Sequence, residues 1–177
     1  IGQKLKINLR IPITVYHEAP MASGVRIRTK CPEGLNRIEM IVEPLEPEVV
    51  QLIRDDKIRD GMDEKVMAKQ LKDAASWDAK IGRSVWAIEG TSMLIDLTRG
   101  VQRLERIKPY VITAFRDFCV SSVLAHEPVM AMKVTVFDAT IHEDPAHTKG
   151  GQIMIMTAAG LNISFLAANP GLYEPVL

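Results

Sequence analysis

The sequence predicts an α+β fold, a two-layer sandwich with helices on one face of a mostly antiparallel sheet. Three observations lead there. Two alternating segments, 25–30 and 36–43, flank a turn and read as a hairpin. A helical block, a short strand and a long helical pattern then follow in mixed order. A further alternating strand, 129–141, precedes a last helix.

The elements follow in order. Residues 1–22 form a lead-in strand region, in which Pro12 precedes the β-branched and aromatic run Ile13-Thr14-Val15-Tyr16. Val25 to Lys30 alternates, which gives a strand with one basic face of Arg26, Arg28 and Lys30. Cys31-Pro32-Glu33-Gly34 is a turn, and Asn36 to Glu43 returns with Ile38, Met40 and Val42 on one face. Pro44 and Pro47 mark the exit, and Pro47 suits the first turn of a short helix through Ile53. The charged stretch 55–62 ends in Gly61 and reads as a loop. Asp63 is placed to cap a helix carrying Val66, Met67, Gln70 and Leu71, and Ser76 to cap the next, with Trp86 near its end. Glu89-Gly90-Thr91 breaks the chain before a short strand, Met93 to Leu97. From Thr98 to about Leu124, Val101, Leu104, Ile107, Val111, Ala114, Phe115 and Phe118 recur at helical spacing, with Pro109 expected to kink or split the helix. Glu127-Pro128 ends that segment. Val129 to Ile141 is a strand with Met132, Val134 and Val136 on one side, and the last helix runs from near Gly151 to before Asn169-Pro170.

The length, 177 residues, suits one domain, or one with fragments of its neighbours. Hydrophobic content of 47% and charged content of 25% describe a soluble globular domain with a core that needs no staples. With 22 basic and 22 acidic side chains, the formal net charge is zero. Contact with nucleic acid must therefore come from a local patch. Cys31 and Cys119 lie far apart and in no metal-ligand spacing, as reduced cytosolic thiols do. No apolar run approaches transmembrane length, and no signal peptide is visible. The chain opens on Ile1, as a processed chain or a piece of something larger does.

No Gly-x-x-x-x-Gly-Lys-Ser/Thr loop, Gly-x-Gly-x-x-Gly turn, Gly-x-Ser-x-Gly elbow or Cys-x-x-Cys pair is present. The most informative stretch runs from Asp138 to Gln152: a strand enters Pro145, His147 stands alone on a loop, and Gly150-Gly151 open the next apolar segment. One enzymatic alternative is a metal-dependent hydrolase built on His142, Glu143 and His147. Against it, the two histidines are five apart rather than four, Pro145 disfavours a helix between them, and a third ligand such as His126 is needed.

The run Asp138-Ala139-Thr140-Ile141-His142-Glu143-Asp144-Pro145-Ala146-His147, followed by Gly150-Gly151-Gln152, resembles the diphthamide loop of archaeal and eukaryotic translation elongation factor 2. Other segments agree in the right order. Pro12 to Glu18 looks like the family's P-x-x-x-Y-R-E strand, and Lys30 to Arg37 resembles its K-S-P-N-K-H-N-R loop. Glu43-Pro44-Leu45-Glu46, Trp86, Leu94 to Gln102, Glu127 to Met130 and Glu174-Pro175-Val176 also fit. The resemblance covers nearly the whole chain and corresponds to domain IV.

The resemblance implies residues 1–11 as the tail of a preceding domain, 12–169 as domain IV and 170–177 as the start of the next. It implies a βαβ crossover of the rarer left hand, which periodicity does not reveal. It implies a cytoplasmic translation factor whose loops, around 31–36 and 143–150, insert at the ribosomal decoding centre. There they would hold tRNA and mRNA in register during translocation, beside the parent factor's other domains. It makes His147 the position of diphthamide-type modification. Lys30, Asn36, Arg37, His142, His147, Lys149, Gly150, Gly151 and Gln152 become the ribosome- or RNA-contacting set, with Arg26 and Arg28 as further phosphate contacts and the two glycines allowing tight turns near RNA. No catalysis or cofactor is implied for this chain; GTP and Mg belong to the parent's GTPase domain, and neither membrane nor DNA is a partner. A third reading keeps the fold as an interaction module without the ribosome. The chain departs from the family at Thr148-Lys149, where Arg-Gly is usual; at Ala158 and Ala159, in place of a basic pair; and at Ile155, in place of Pro. In the neighbouring loop, Cys31, Glu33, Gly34 and Leu35 replace Ser, Asn, Lys and His.

Overall fold

In chain order the structure, a computed structural model describing residues 15–174, comprises β1 (His17–Ala19), β2 (Ile27–Lys30), β3 (Arg37–Pro44), α1 (Pro47–Arg54), α2 (Glu64–Ala75), α3 (Ala79–Gly82), β4 (Val85–Glu89), β5 (Ser92–Asp96), α4 (Leu104–Val120), β6 (Met132–Thr140), α5 (Gly150–Ala167) and β7 (Gly171–Tyr173). Five strands form the main sheet in the order β2–β3–β6–β5–β4. Every neighbouring pair is antiparallel except β5–β6, which is parallel and joined by α4. This is the α+β fold read from the sequence, and β5–α4–β6 is its crossover unit.

The β2–β3 hairpin pairs Ile27 with Met40 and Lys30 with Arg37. Its turn needs Gly34, at φ +76°, whose N–H reaches the Cys31 carbonyl at 2.8 Å. The β3–β6 register shifts between Glu39, opposite Asp138, and Met40, opposite Val136, so Phe137 is the extra residue of a bulge.

One face of the sheet carries α4 and α5. Met40, Val42, Val134 and Val136 from the strands meet Ile107, Val111 and Phe115 of α4 and Ile153, Met156 and Phe165 of α5 in one buried cluster. Phe118 stacks edge to face on Phe165 at 5.2 Å. The other face adds a smaller cluster that the sequence reading did not anticipate. Alternation along β5 turns Leu94 into the large cluster and Met93 and Ile95 into the small one, where α1 and α2 supply Val49, Leu52, Met67 and Leu71. The β2–β3–β6 end of that face carries the polar residues Arg28, Glu39 and Asp138 instead.

Several local expectations change. Ser76 does not start a helix: it ends α2 in the left-handed conformation at φ 56°, and Asp78 caps the short α3. Trp86 lies in β4, not in a helix. This strand has apolar residues on both faces, so it lacks the period-2 signal that separates strand from helix. α4 begins at Leu104 rather than Thr98, because Gly100 and Arg103 take positive φ before it and Asp96 Oδ1 accepts the Thr98 N–H at 2.9 Å. It runs through Pro109 without splitting and stops at Val120. The amides of Leu124, Ala125 and Glu127 turn instead to the carboxylate of Glu18, which is fully buried and also accepts from Ser122 Oγ at 2.6 Å. The strand expected over Ile13–Tyr16 falls partly outside the described residues; Val15 and Tyr16 are irregular, and β1 begins at His17.

The eighteen-residue α5 is an exception to the absence of long apolar runs: by length and composition alone it is apolar enough to cross a membrane. It folds as a core helix, with Ile153, Met156, Gly160, Leu161 and Phe165 buried. Near its C-terminus the Ala168 carbonyl accepts the amides of Met21 and Ala22, and β1 pairs with β7 close by. Residues 171–173, assigned in sequence to the next domain's start, thus pair with the first described strand. Both ends of the described chain meet there, and α5 spans about 27 Å from that base to its own N-terminus.

Candidate nucleic-acid interface at the domain tip

The tip lies at that far end. Because Arg37 pairs with Thr140, the loop before β3 and the loop after β6 leave the sheet side by side. The second loop bends through a 3₁₀ turn, Pro145–His147, capped by Asp144, whose side chain accepts the Ala146 N–H at 2.9 Å. Thr148 is buried and its hydroxyl donates to the Pro145 carbonyl at 3.2 Å.

Asn36 joins the loops. Its amide nitrogen donates to the His147 carbonyl at 2.8 Å, and its amide oxygen accepts the His142 N–H at 2.9 Å. Expected at the contact surface, Asn36 is instead fully buried beneath it. Its backbone and side chain also donate to Cys31 Sγ, at 3.2 and 3.4 Å. Burial works against the Cys31 thiolate, but these bonds, with those of the Leu35 and Gly34 backbone, outweigh it and hold the thiol below its ordinary value.

His147 is part-exposed, and its Nδ1 lies 2.7 Å from Glu33 Oε2. Its ring meets that of His142 edge to face, with centroids 4.8 Å apart. His142 Nδ1 accepts the Asp144 N–H at 3.2 Å. Glu143 turns away, its carboxylate 3.7 Å from Arg103 and its carbonyl accepting from Arg106 at 2.9 Å. His142, Glu143 and His147 therefore do not converge as the hydrolase alternative requires. Among the described residues no three His, Cys, Asp or Glu side chains are grouped to hold a metal ion.

Gly150 and Gly151 make no tight turn: they are the first residues of α5. Gly150 serves close approach, since a Cβ there would sit 2.9 Å from the Tyr110 ring, whereas Gly151 faces open space. Gln152 Oε1 accepts the Glu33 N–H at 3.3 Å. Glu33, Arg103 and Arg106 are the tip residues that the sequence reading left out of its contact set. The Glu33–His147 contact spans 114 positions, and no local pattern carries it.

Lys30, Arg37 and Lys149 are exposed, and none of them forms an ion pair among the described residues. Arg26 and Arg28 differ. Both pair with Glu39, Arg28 also approaches Asp138 at 3.5 Å, and the Arg26 guanidinium lies 4.2 Å over the Phe137 ring. Their charge is satisfied within the sheet.

Fold and site together define an α+β domain that holds two clasped loops at the end remote from the paired first and last described strands. Residues 56–169 match the family described as elongation factor G, domain IV, and the chain belongs to that family. It is 40% identical over 166 residues to an elongation factor 2 of Saccharolobus islandicus (strain L.S.2.15 / Lassen #1), covering 93% of this chain and 23% of that protein. It is 36% identical to elongation factor 2 of Ignicoccus hospitalis over 173 residues, 97% of this chain and 23% of the relative. With elongation factor 2 of Pyrobaculum calidifontis it shares 35% over 176 residues, 98% and 24%. The chain thus spans about a quarter of the length of these curated relatives.

Proposed function

We propose that this domain is the ribosome-contacting probe of a translational GTPase, and that its tip contacts tRNA and mRNA in the decoding centre during translocation. The observation that carries this reading is the pairing of Lys30 directly opposite Arg37 at the end of the hairpin. Like charges across a strand pair repel. No described acid neutralises them, while the nearby carboxylates of Glu33, Glu143 and Asp144 are each turned to an internal partner. A phosphate placed between the two cations relieves the repulsion. Lys149, exposed immediately before α5, adds a third cation on the second loop. The work is positioning rather than bond-making: a rigid sandwich delivers two loops whose relative placement Asn36 fixes. Nucleotide hydrolysis belongs, on this reading, to another part of the parent factor.

The test is the parent factor carrying Lys30→Glu and Arg37→Glu. Ribosome co-sedimentation and single-turnover translocation are expected to weaken roughly tenfold or more, with a shallower salt dependence. Absence of ribosome association by the unsubstituted factor at low salt would overturn the proposal, and so would an unaffected double variant. His147 is the proposed site of diphthamide-type modification, and the intact mass of protein from its native source decides that point separately.

A further inference from the structure

The two tip imidazoles are held in opposite hydrogen-bonding senses. A backbone amide can only donate, so His142 Nδ1, facing the Asp144 N–H at 3.2 Å, accepts. The neutral His142 ring then carries its proton on Nε2. An ionised carboxylate can only accept, so His147 Nδ1, 2.7 Å from Glu33 Oε2, carries a proton. In the neutral His147 ring, Nε2 is left bare. Asn36 fixes the backbone beneath each ring, and the Glu33 amide is tied to Gln152 at 3.3 Å, so the acceptor is itself held in place.

We infer that Glu33 is a positioning residue for His147, selecting its Nδ1–H tautomer and leaving its Nε2 as a hydrogen-bond acceptor, while the His142 ring, with its centroid 4.8 Å away, offers an Nε2–H donor. The inference rests on the tip's being the RNA-contacting end, and it names the chemistry recognised there. A ligand group that both donates and accepts suits this pair, and the ribose 2′-hydroxyl has that property. A phosphate oxygen, which only accepts, has no use for a bare His147 Nε2; phosphates are left to Lys30 and Arg37. Glu33 stands where the family pattern quoted above has Asn, so the arrangement belongs to this chain's own substitutions.

Long-range ¹H–¹⁵N correlation spectra of the 177-residue chain, recorded where both imidazoles are neutral, read the tautomers directly. His147 is expected to show a protonated Nδ1 and a bare Nε2, and His142 the reverse. Glu33→Ala moves His147 towards the Nε2–H form and leaves His142 unchanged. Glu33→Gln, which keeps an acceptor oxygen, restores the Nδ1–H form. A dominant Nε2–H form of His147 in the unsubstituted chain overturns the inference, as does an Nδ1–H form that survives Glu33→Ala. Glu33 is exposed, so both variants are expected to fold, and the unsubstituted chain decides on its own if one does not. The measurement uses no RNA: correct tautomers with no ribosome association leave the positioning standing and remove the RNA reading.

Discussion

Asn36 carries more of the tip's order than any cation around it. One fully buried amide donates to the second loop at His147 and accepts from it at His142, so the placement of each loop is tied to the other. Asn36→Ala leaves a carbonyl and an amide of that loop without their partner. Each orphaned group costs about 1–3 kcal/mol, so a loss of roughly 2–6 kcal/mol is expected in urea unfolding. Faster exchange of the amides of 142–148 should accompany it. A change under 0.5 kcal/mol, on the order of an ordinary surface substitution, would show that the loops are held by something else. The sequence reading puts Asn36 among the contacting residues, whereas the structure buries it as the link between the two loops. Its burial depends on residues more than a hundred positions away, which no local pattern reports.

Among the elements, the open face of β2, β3 and β6 shows what alternation reveals and what it hides. Arg26, Arg28 and Lys30 were legible as one basic face, because period 2 is a property of the strand itself. The neutralisation of Arg26 and Arg28 was not, since Glu39 comes from the next strand and Asp138 lies 110 positions from Arg28. The same blindness hid β4, whose residues are apolar on both sides. Burial works to raise the Glu39 carboxyl, but hydrogen bonds from Arg26 and Arg28 and then their charges outweigh it and hold the group below its ordinary value. A carboxyl depressed in the folded state adds stability that is present above its unfolded value and is lost as pH falls through the folded one. Glu39→Gln is therefore expected to cost roughly 1 kcal/mol at neutral pH, discounted because both arginines are half exposed. The cost should shrink in acid below the ordinary carboxylate range. Denaturant titrations at both pH values check this, and a pH-independent cost would show that packing rather than charge sets it.

At the scale of the molecule, the fold class followed from the order of periodic segments, while the division of the core did not. Period alone cannot say that Met93 and Ile95 belong to one cluster and Leu94 to another, because it does not say what covers each face. The consequence is a molecule with two apolar clusters sharing β5. The larger, between the sheet and α4 with α5, holds Phe115, Phe165, Met132 and Ile153. The smaller is built by α1, α2 and the end of the sheet around Leu71, Val49 and Ile58. Its ties to the rest include Arg116 with Asp60 at 2.7 Å and with Glu89 at 3.6 Å, pairs near 45% exposed and hence weak. Elements with fewer buried partners open at lower free energy than the global unit. Native-state hydrogen exchange in low denaturant should therefore find α1 to α3 opening first, while β3, β6 and α5 exchange only with global unfolding. Leu71, fully buried in the smaller cluster, separates the two processes. Leu71→Ala should lower the opening free energy of α1 to α3 by about 2–4 kcal/mol, the usual cost of a buried cavity. The amides of β3, β6 and α5 should respond by much less. An equal shift at every amide would mean that both faces of the sheet unfold as one cooperative unit, and that the tip is held by the whole domain rather than by α4, α5 and the three strands beneath them.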